Sequence, residues 1–125
     1  MSTELVKWIR EQLDEDERIA RGCSGTDWWE HPKNWVSAPQ LNRVALAVHD
    51  GDRAHILRHD PARVLRDIDA DRALIAEYLA AQETVDATAH PDMYDVGRAQ
   101  GLEEAVRYRA LRFDARTGYR EEWRP

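Results

Sequence analysis

The longest amphipathic pattern in the chain begins in its middle, at the step from Asp60 to Pro61. Asp can accept hydrogen bonds from the free N–H groups of a first helical turn, and Pro is tolerated at the first helical position because an N–H there has no partner. Apolar residues then recur at steps of three and four, as in a helix with one face on a core. The pattern predicts a helix from Pro61 to about Gln82. Its apolar stripe consists of Val64, Leu65, Ile68, Ile75 and Leu79, widened by Leu74 and Tyr78.

Two further helices are predicted, one near each end of the chain. The first covers residues 4–21, with Thr3 as its cap and Gly22 as its end. The last covers residues 102–116 and follows Gly101. Their apolar positions are Leu5, Ile9 and Leu13 in the first helix and Leu102, Val106, Ala110 and Phe113 in the last.

The segment between the first and central helices favours β structure. Residues 43–49 form the best strand signal, because Val44, Leu46 and Val48 fall on one face. A strand needs a neighbour, and residues 34–37 are the expected antiparallel partner. Asp50-Gly51 is a strong turn signal, so a third strand could follow it.

Residues 84–100 show no sustained period and contain Pro91 and Gly97, which predicts a loop that is the most mobile part of the chain. The predicted fold is therefore α+β and helix-dominated. It has three helices, with a small antiparallel hairpin or sheet between helices one and two. The length of 125 residues predicts a single domain over residues 1–125.

Composition narrows the classes of function. The formal net charge of −6 disfavours binding of nucleic acid over the whole surface, because DNA attracts a positive face. The single cysteine, Cys23, cannot form an internal disulfide. No segment has the apolar length of a membrane span, and acidic residues stand where a signal peptide would be basic and then apolar. We expect a cytoplasmic protein in a reducing compartment, without a membrane partner.

Three tryptophans lie close together in an irregular segment: Trp28, Trp29 and Trp35. Large aromatic side chains either cover the core of a small domain or form an exposed binding surface. The sequence leaves both interpretations open. The leading hypothesis is that the chain is a non-enzymatic interaction or regulatory protein with a protein partner. The partner would bind to this tryptophan segment, to the 84–100 loop, or to both. A homodimer is compatible with the same features.

A metal-dependent enzyme is the first alternative. His55 and His59 are four residues apart, which is the spacing of two metal ligands on one helical face. His49, Asp60 or the acidic run of the first helix, which includes Asp16, could complete the ligands. That run also resembles an acidic motif of helical nucleotide pyrophosphatases, whose paired carboxylates hold magnesium. In this chain Asp67 and Asp71 would be the second pair of carboxylates. This alternative is a hydrolase or pyrophosphatase with a divalent metal; otherwise no cofactor is expected.

Two charged residues interrupt apolar stripes. Asp16 lies between Leu13 and Ile19 on the first helix, and Arg72 lies between Ile68 and Ile75 on the central one. If the helices pack together, Asp16 and Arg72 could form a partly buried ion pair. The other interpretation is that the long stem of Arg72 carries its charge to the surface.

The C-terminal third suggests a second alternative, a nucleic-acid-binding protein. Arginines interleaved with aromatic residues can contact phosphates and bases, and Arg112 and Arg116 are the central candidates. Glutamates dilute the positive charge of this segment. The arginines are Arg107, Arg109, Arg112, Arg116, Arg120 and Arg124.

Three segments carry a family resemblance: LDEDERIA (13–20), HILRHDPARVLRDIDADR (55–72) and the terminal GYREEWRP (118–125). In these the chain resembles a family of short uncharacterised proteins from actinobacteria and their phages, catalogued as a domain of unknown function. The resemblance implies a shared fold and host range, and it indicates no particular activity or mechanism. Its occurrence in phages implies a role in phage–host conflict or regulation.

Overall fold

A computed structural model describes residues 2–39, 42–47 and 49–125. Over these residues the chain is α+β and helix-dominated, with a three-stranded antiparallel sheet between the first two helices, as predicted. The predicted number of three helices is wrong, because the described residues form four. In chain order the elements are α1 (Ser2–Arg21), β1 (Trp29–His31), β2 (Trp35–Ala38), β3 (Asn42–Leu46), α2 (Asp50–Arg58), α3 (Pro61–Asp86) and α4 (Met93–Ala110), followed by 3-10 helices over Leu111–Phe113 and Glu121–Trp123.

The start of α3 follows from the chemistry of its first two residues. Asp60 Oδ1 accepts a hydrogen bond of 3.0 Å from the backbone N–H of Arg63, and Pro61 is the first helical residue, as predicted. The helix continues to Asp86, which is past the predicted end at Gln82. α1 begins at Ser2, so Thr3 lies inside the helix and does not cap it.

The turn predicted at Asp50-Gly51, and the strand after it, are wrong. These residues begin α2 because His49 caps the helix: its Nδ1 accepts a hydrogen bond of 3.2 Å from the backbone N–H of Gly51. Asp50 and Asp52 lie in the first turn, where negative charge suits the helix dipole. α2 ends with His59 as its C-cap, so His55 lies on a short helix separate from α3 and His59 lies at the end of that helix.

The loop predicted over residues 84–100 is wrong at both ends. α3 covers its beginning and α4 its end, since α4 begins at Met93. Asp92 caps α4 by accepting a hydrogen bond of 2.7 Å from the N–H of Tyr94. Gly97 and Gly101 lie within this helix, on exposed positions where a Cβ would meet no atom within 4 Å. The predicted last helix is therefore the second half of α4 and the 3-10 helix that follows.

The sheet has the strand order β1-β2-β3, with both pairs antiparallel. The predicted pairing of residues 34–37 with the best strand is confirmed by β2 and β3, although β3 ends at Leu46 and the predicted residue Val48 lies outside the described residues. The third strand, β1, precedes the other two. A register shift between Val36 and Ser37 marks a bulge in β2.

The chain divides into two compact units. Unit one consists of Met1–Gln12 and Asp69–Pro125, and unit two consists of Leu13–Ile68. The single domain expected from the length stays a prediction. The core of unit one includes Leu5, Ile9, Ile75, Tyr78, Val106, Phe113 and Trp123, and that of unit two includes Leu13, Ala20, Val36, Ala38 and Ile68.

Candidate functional site

The sheet of unit two has one face that carries aromatic and apolar side chains. Directly paired residues of an antiparallel sheet point to the same side, and so do residues two apart on one strand. His31 is paired with Trp35, and Trp35 is paired with Leu46. Trp29 precedes His31 by two residues. The register therefore places Trp29, His31, Trp35 and Leu46 on one side, which we name the aromatic face.

Three rings and one guanidinium group stack across this face. The ring centroids of His31 and Trp35 are 4.0 Å apart with nearly parallel planes, and those of Trp29 and His31 are 5.6 Å apart. The Arg43 guanidinium carbon lies 4.2 Å from the centroid of the Trp35 ring. Trp35 Nε1 also donates a hydrogen bond of 2.9 Å to Ser37 Oγ. The column Trp29–His31–Trp35–Arg43 therefore holds its side chains in one arrangement.

The opposite side of the sheet faces α2. Glu30, Val36 and Ala45 are paired in register on that side. The Glu30 carboxylate accepts a hydrogen bond of 3.0 Å from Nε of Arg53, a buried residue of α2. Arg53 also donates to the carbonyl oxygen of Ala47 at 2.6 Å and to the Asp50 carboxylate. α2 thus covers this side, whereas on the aromatic face Trp29 is 39% exposed and Leu46 is 63% exposed.

The third predicted tryptophan has a different place. Trp28 precedes β1 and is half-buried, and its Nε1 donates a hydrogen bond of 3.1 Å to the carbonyl oxygen of Gly25. Its indole lines a cavity of about 300 Å³ in unit two. The other residues that line this cavity are Asp16, Ile19, Ala20, Cys23, His59, Pro61 and Val64.

The cavity brings together two of the three predicted metal ligands, Asp16 and His59, while His55 does not line it. The rings of His55 and His59 lie 4.3 Å apart and both side chains are exposed. Within residues 2–39, 42–47 and 49–125, no three His, Cys, Asp or Glu side chains are grouped so that they could hold a metal ion. The metal site stays a prediction without a completed set of ligands.

The second pair of carboxylates expected of a pyrophosphatase is engaged with arginines. Asp67 forms an ion pair of 3.7 Å with Arg63. Asp71 is buried and accepts hydrogen bonds from Arg109 and Arg112, so it is held inside unit one. Asp71 therefore has a structural role, whereas the ion pair of Asp67 lies at the surface.

The arginines of the C-terminal third also contact groups within unit one. Arg107 pairs with Glu103 at 3.2 Å, and Arg116 donates a hydrogen bond of 3.3 Å to Gln12 Oε1. Several guanidinium groups also lie over aromatic rings. They occupy faces of those rings on which a nucleic-acid base would have to stack. The nucleic-acid alternative is therefore not favoured. The pairs are Arg112 and Arg116 over Phe113, Arg120 over Trp123 and Arg124 over Tyr119.

The predicted pair of Asp16 and Arg72 stays a prediction. Both side chains are half-buried, Asp16 in unit two and Arg72 in unit one. A double-mutant cycle is the test: strong destabilisation by Asp16→Ala and by Arg72→Ala, with a double variant that loses less than the sum, would support contact.

Several residues of the site were missed by sequence reasoning. His31 and Leu46 join the aromatic face, and Arg43 joins its stacked column, through cross-strand neighbours that depend on the register. The alternation of Trp29 and His31 was the available signal, but it covers only the three residues of β1. The other predicted surface, residues 84–100, lies in unit one; there Met93, at the start of α4, is 81% exposed beside Tyr94.

The fold and this face define a helix-dominated α+β protein with a three-stranded sheet, one face of which carries the partly exposed side chains of Trp29 and Leu46. None of the helices in the described part of the chain has both the length and the apolar character needed to cross a membrane. The profile of a family of unknown function, DUF6221, matches residues 2–125, so the chain belongs to that family. This confirms the resemblance to an uncharacterised family. No curated protein and no solved structure matches the chain.

Proposed function

We propose that the protein is a non-enzymatic interaction protein that binds a protein partner through the aromatic face of its sheet. The observation that supports this most is the exposure of Trp29 and Leu46 on the side of the sheet opposite α2. Contiguous exposed apolar surface marks interaction sites, and aromatic residues supply much of the energy at such sites. The stacked column is already ordered, so binding would cost little side-chain entropy.

The charge of this face indicates the chemistry of the partner. Of the acidic and arginine side chains on the three strands, Glu30 lies on the α2 side and Arg43 belongs to the aromatic column. Among the described residues, no carboxylate forms an ion pair with Arg43. A guanidinium group in this position would pair with a carboxylate of the partner. The partner is therefore an apolar segment that carries an acidic side chain.

The compartment and host form part of the same proposal. The single cysteine is consistent with a reducing cytoplasm. The three resembling segments, 13–20, 55–72 and 118–125, are the basis for proposing an actinobacterial or phage setting. In that setting the protein would act as a small regulator of a host or phage protein.

The first experiment is capture from an actinobacterial lysate by immobilised protein, followed by quantitative mass spectrometry. Leu46→Asp places a charge at the exposed apolar position of the face, and Tyr108→Asp is the matched control because Tyr108 is exposed in unit one. The proposal expects a protein that is retained by the wild type and by Tyr108→Asp and lost with Leu46→Asp. Equal capture by all three proteins would contradict it.

A charge exchange then tests the partner chemistry with purified components. Arg43→Glu should weaken binding of the captured protein, and replacing one acidic residue of its bound segment with Arg should restore it. If no acidic residue of the partner restores binding, the charge assignment is wrong. Light scattering of the wild type and Leu46→Asp distinguishes a second copy of this chain from another protein as the occupant of the face.

A further inference from the structure

The structure points to a second binding site in unit two: we infer that the cavity beside Trp28 binds a small neutral aromatic molecule. The site is distinct from the aromatic face, because none of its lining residues belongs to the three strands. Its volume of about 300 Å³ is at the lower end of the range for ligand pockets. An apolar cavity of about 150 Å³ holds a benzene ring, so this one has room for a ring and a short chain.

Most of the residues that line the cavity are apolar. The indole of Trp28 forms an aromatic wall, and α1 and α3 supply aliphatic side chains around it. Ile19 is 55% exposed, so the cavity reaches solvent at this residue and a ligand can enter there. Aromatic rings pack against an indole with a gain in energy beyond the area that they bury, which favours an aromatic ligand. The apolar residues of the lining are Ile19, Ala20, Cys23, Trp28, Pro61 and Val64.

Hydrogen bonds hold the aromatic wall in place. The indole of Trp28 is fixed by its bond to Gly25, and the backbone N–H of Trp28 donates to Asp60 Oδ2 at 3.3 Å. The backbone N–H of Ala62 donates to the carbonyl oxygen of Thr26 at 3.0 Å. These bonds tie the Trp28 segment to the start of α3. A cavity with fixed walls loses little entropy when a ligand enters.

The polar groups of the lining already interact within the chain. Asp16 has a contact with another group of the protein. His59 Nδ1 lies 2.8 Å from the carbonyl oxygen of His55, and the thiol of Cys23 donates to the carbonyl oxygen of Ile19 at 3.5 Å. The ligand is therefore held by its apolar contacts and does not require a polar group of the cavity.

The same polar groups disfavour a charged ligand. Among the described residues that line the cavity there is no Lys or Arg, so a carboxylate ligand would meet Asp16 without a cation to offset the repulsion. An ammonium group would have to compete with the contact that Asp16 already makes. A charge taken out of water is unfavourable unless it is paired, and a neutral molecule avoids this cost.

The test uses 2-phenylethanol, with 2-phenylethylamine and 3-phenylpropanoate as matched probes that carry a positive and a negative charge. Cys23 is the single cysteine of the chain and lines the cavity, so its rate of alkylation by iodoacetamide reports occupancy. The alcohol should slow this reaction saturably, with a midpoint of roughly 1 mM for a fragment of this size. Each charged probe should have a midpoint about tenfold higher or more. Alkylation of glutathione is the control for effects of the probes on the reagent.

Variants separate this site from non-specific binding. Val64→Phe fills the cavity from α3, and Ile19→Trp obstructs it at an exposed residue, where a larger side chain can be accommodated if Val64→Phe does not fold. Each should abolish the protection of Cys23 by the alcohol. Leu46→Trp is the matched control for Ile19→Trp, because Leu46 is 63% exposed and does not line the cavity, and it should leave the midpoint unchanged.

Two further neutral probes identify the occupant. 2-Cyclohexylethanol has no aromatic ring and should bind several-fold more weakly than 2-phenylethanol. N-acetylphenylalaninamide should bind no more tightly than 2-phenylethanol, and tighter binding would mean that the occupant is an aromatic side chain of a partner protein. That result would overturn the inference. Equal binding of the two alcohols, equal protection by charged and neutral probes, protection retained in Ile19→Trp, or no saturable protection would overturn it as well.

Discussion

The Asp71 carboxylate on α3 accepts a hydrogen bond of 2.7 Å from the Arg109 side chain on α4, although only 2% of Asp71 is exposed. Arg112, from the 3-10 helix after α4, donates to the other carboxylate oxygen. A buried carboxylate is strongly unfavourable without such partners. Both arginines remain partly exposed, so water could replace the contacts of their guanidinium groups. Water could not do the same for the buried carboxylate of Asp71.

This difference predicts an order of stability among variants. Arg109→Ala with Arg112→Ala leaves the Asp71 charge buried without these partners and should lower the free energy of unfolding by about 3–5 kcal/mol. Each single arginine variant should lose less than half of that, because the other arginine remains. Asp71→Asn should lose only about 1–3 kcal/mol, since the freed guanidinium groups can reach water.

Urea denaturation of the four variants measures this order. Asp69→Asn is the control, because Asp69 is exposed two residues away and its replacement should change stability by less than about 0.5 kcal/mol. Equal losses for Asp71→Asn and the double arginine variant would contradict the argument.

Three glycines of unit one have different surroundings, which predict opposite effects of replacing them with alanine. Gly118 has a φ of 92°, and a Cβ there would lie 2.8 Å from Trp8 Nε1. That indole N–H donates a hydrogen bond to the carbonyl oxygen of Thr117. Gly118→Ala should therefore destabilise by roughly 1–3 kcal/mol. Gly97→Ala and Gly101→Ala, in open positions of α4, should each stabilise by about 0.5–1 kcal/mol. Thermal unfolding of the three variants decides the matter, and a destabilised Gly97→Ala would be evidence against a simple helical role.

Asp60 joins two segments of unit two, because one oxygen caps α3 and the other accepts from the backbone of Trp28. Asp60→Ala removes both bonds and should cost about 1–2 kcal/mol. Asp60→Asn keeps one acceptor and should lose less. Denaturant midpoints of the two variants, together with the position of the Trp28 indole signal, test this; identical losses would rule out the role of the second bond.

The Glu121–Arg124 pair predicts a pH dependence in the C-terminal segment. The hydrogen bond and the positive charge of Arg124 hold the pKa of the Glu121 carboxyl below its ordinary value. Because the folded-state pKa is lowered, the stabilisation from this pair is present above the ordinary glutamate pKa and is lost as the pH falls through the lower one.

An NMR titration of the Glu121 side-chain carbon measures that pKa directly. Arg124→Gln should move the midpoint upward, whereas Arg58→Gln, an exposed arginine of unit two, should leave it in place. A midpoint unaffected by Arg124→Gln would refute the assignment.

Sequence reasoning succeeded where neighbouring residues decide the structure. Asp60 and Pro61 together contain the signal for the start of α3, and the central helix follows. The same chemistry was overlooked at Asp92, because Gly97 and Gly101 were interpreted as breaks. Both glycines are tolerated, since α4 also carries buried Ala99, Val106 and Ala110, whose burial offsets the weak helix propensity of glycine.

The candidate sites depended on contacts between distant residues and were predicted only in part. Trp29 and Trp35 were singled out, but the stack with His31 and Arg43 requires the strand register. Asp71 was interpreted as a metal ligand together with Asp67, four residues before it. Its partners in the structure lie 38 and 41 residues away in the chain, where no local pattern indicates them. His49 can act as a cap only if the residues after it form a helix. Asp50-Gly51 was therefore predicted to be a turn, whereas it begins α2.

The abundance of arginine over lysine in the C-terminal segment has a geometric consequence. A planar guanidinium group can lie flat on a ring while its N–H groups reach a carboxylate, and an ammonium group cannot do both. Arg112 and Arg116 both lie over the ring of Phe113, and Arg112 also holds Asp71. Replacement of these arginines by lysine would preserve the charge but would weaken the packing of the C-terminal segment. Relatives with lysine at these positions should therefore have a different side chain in place of the ring.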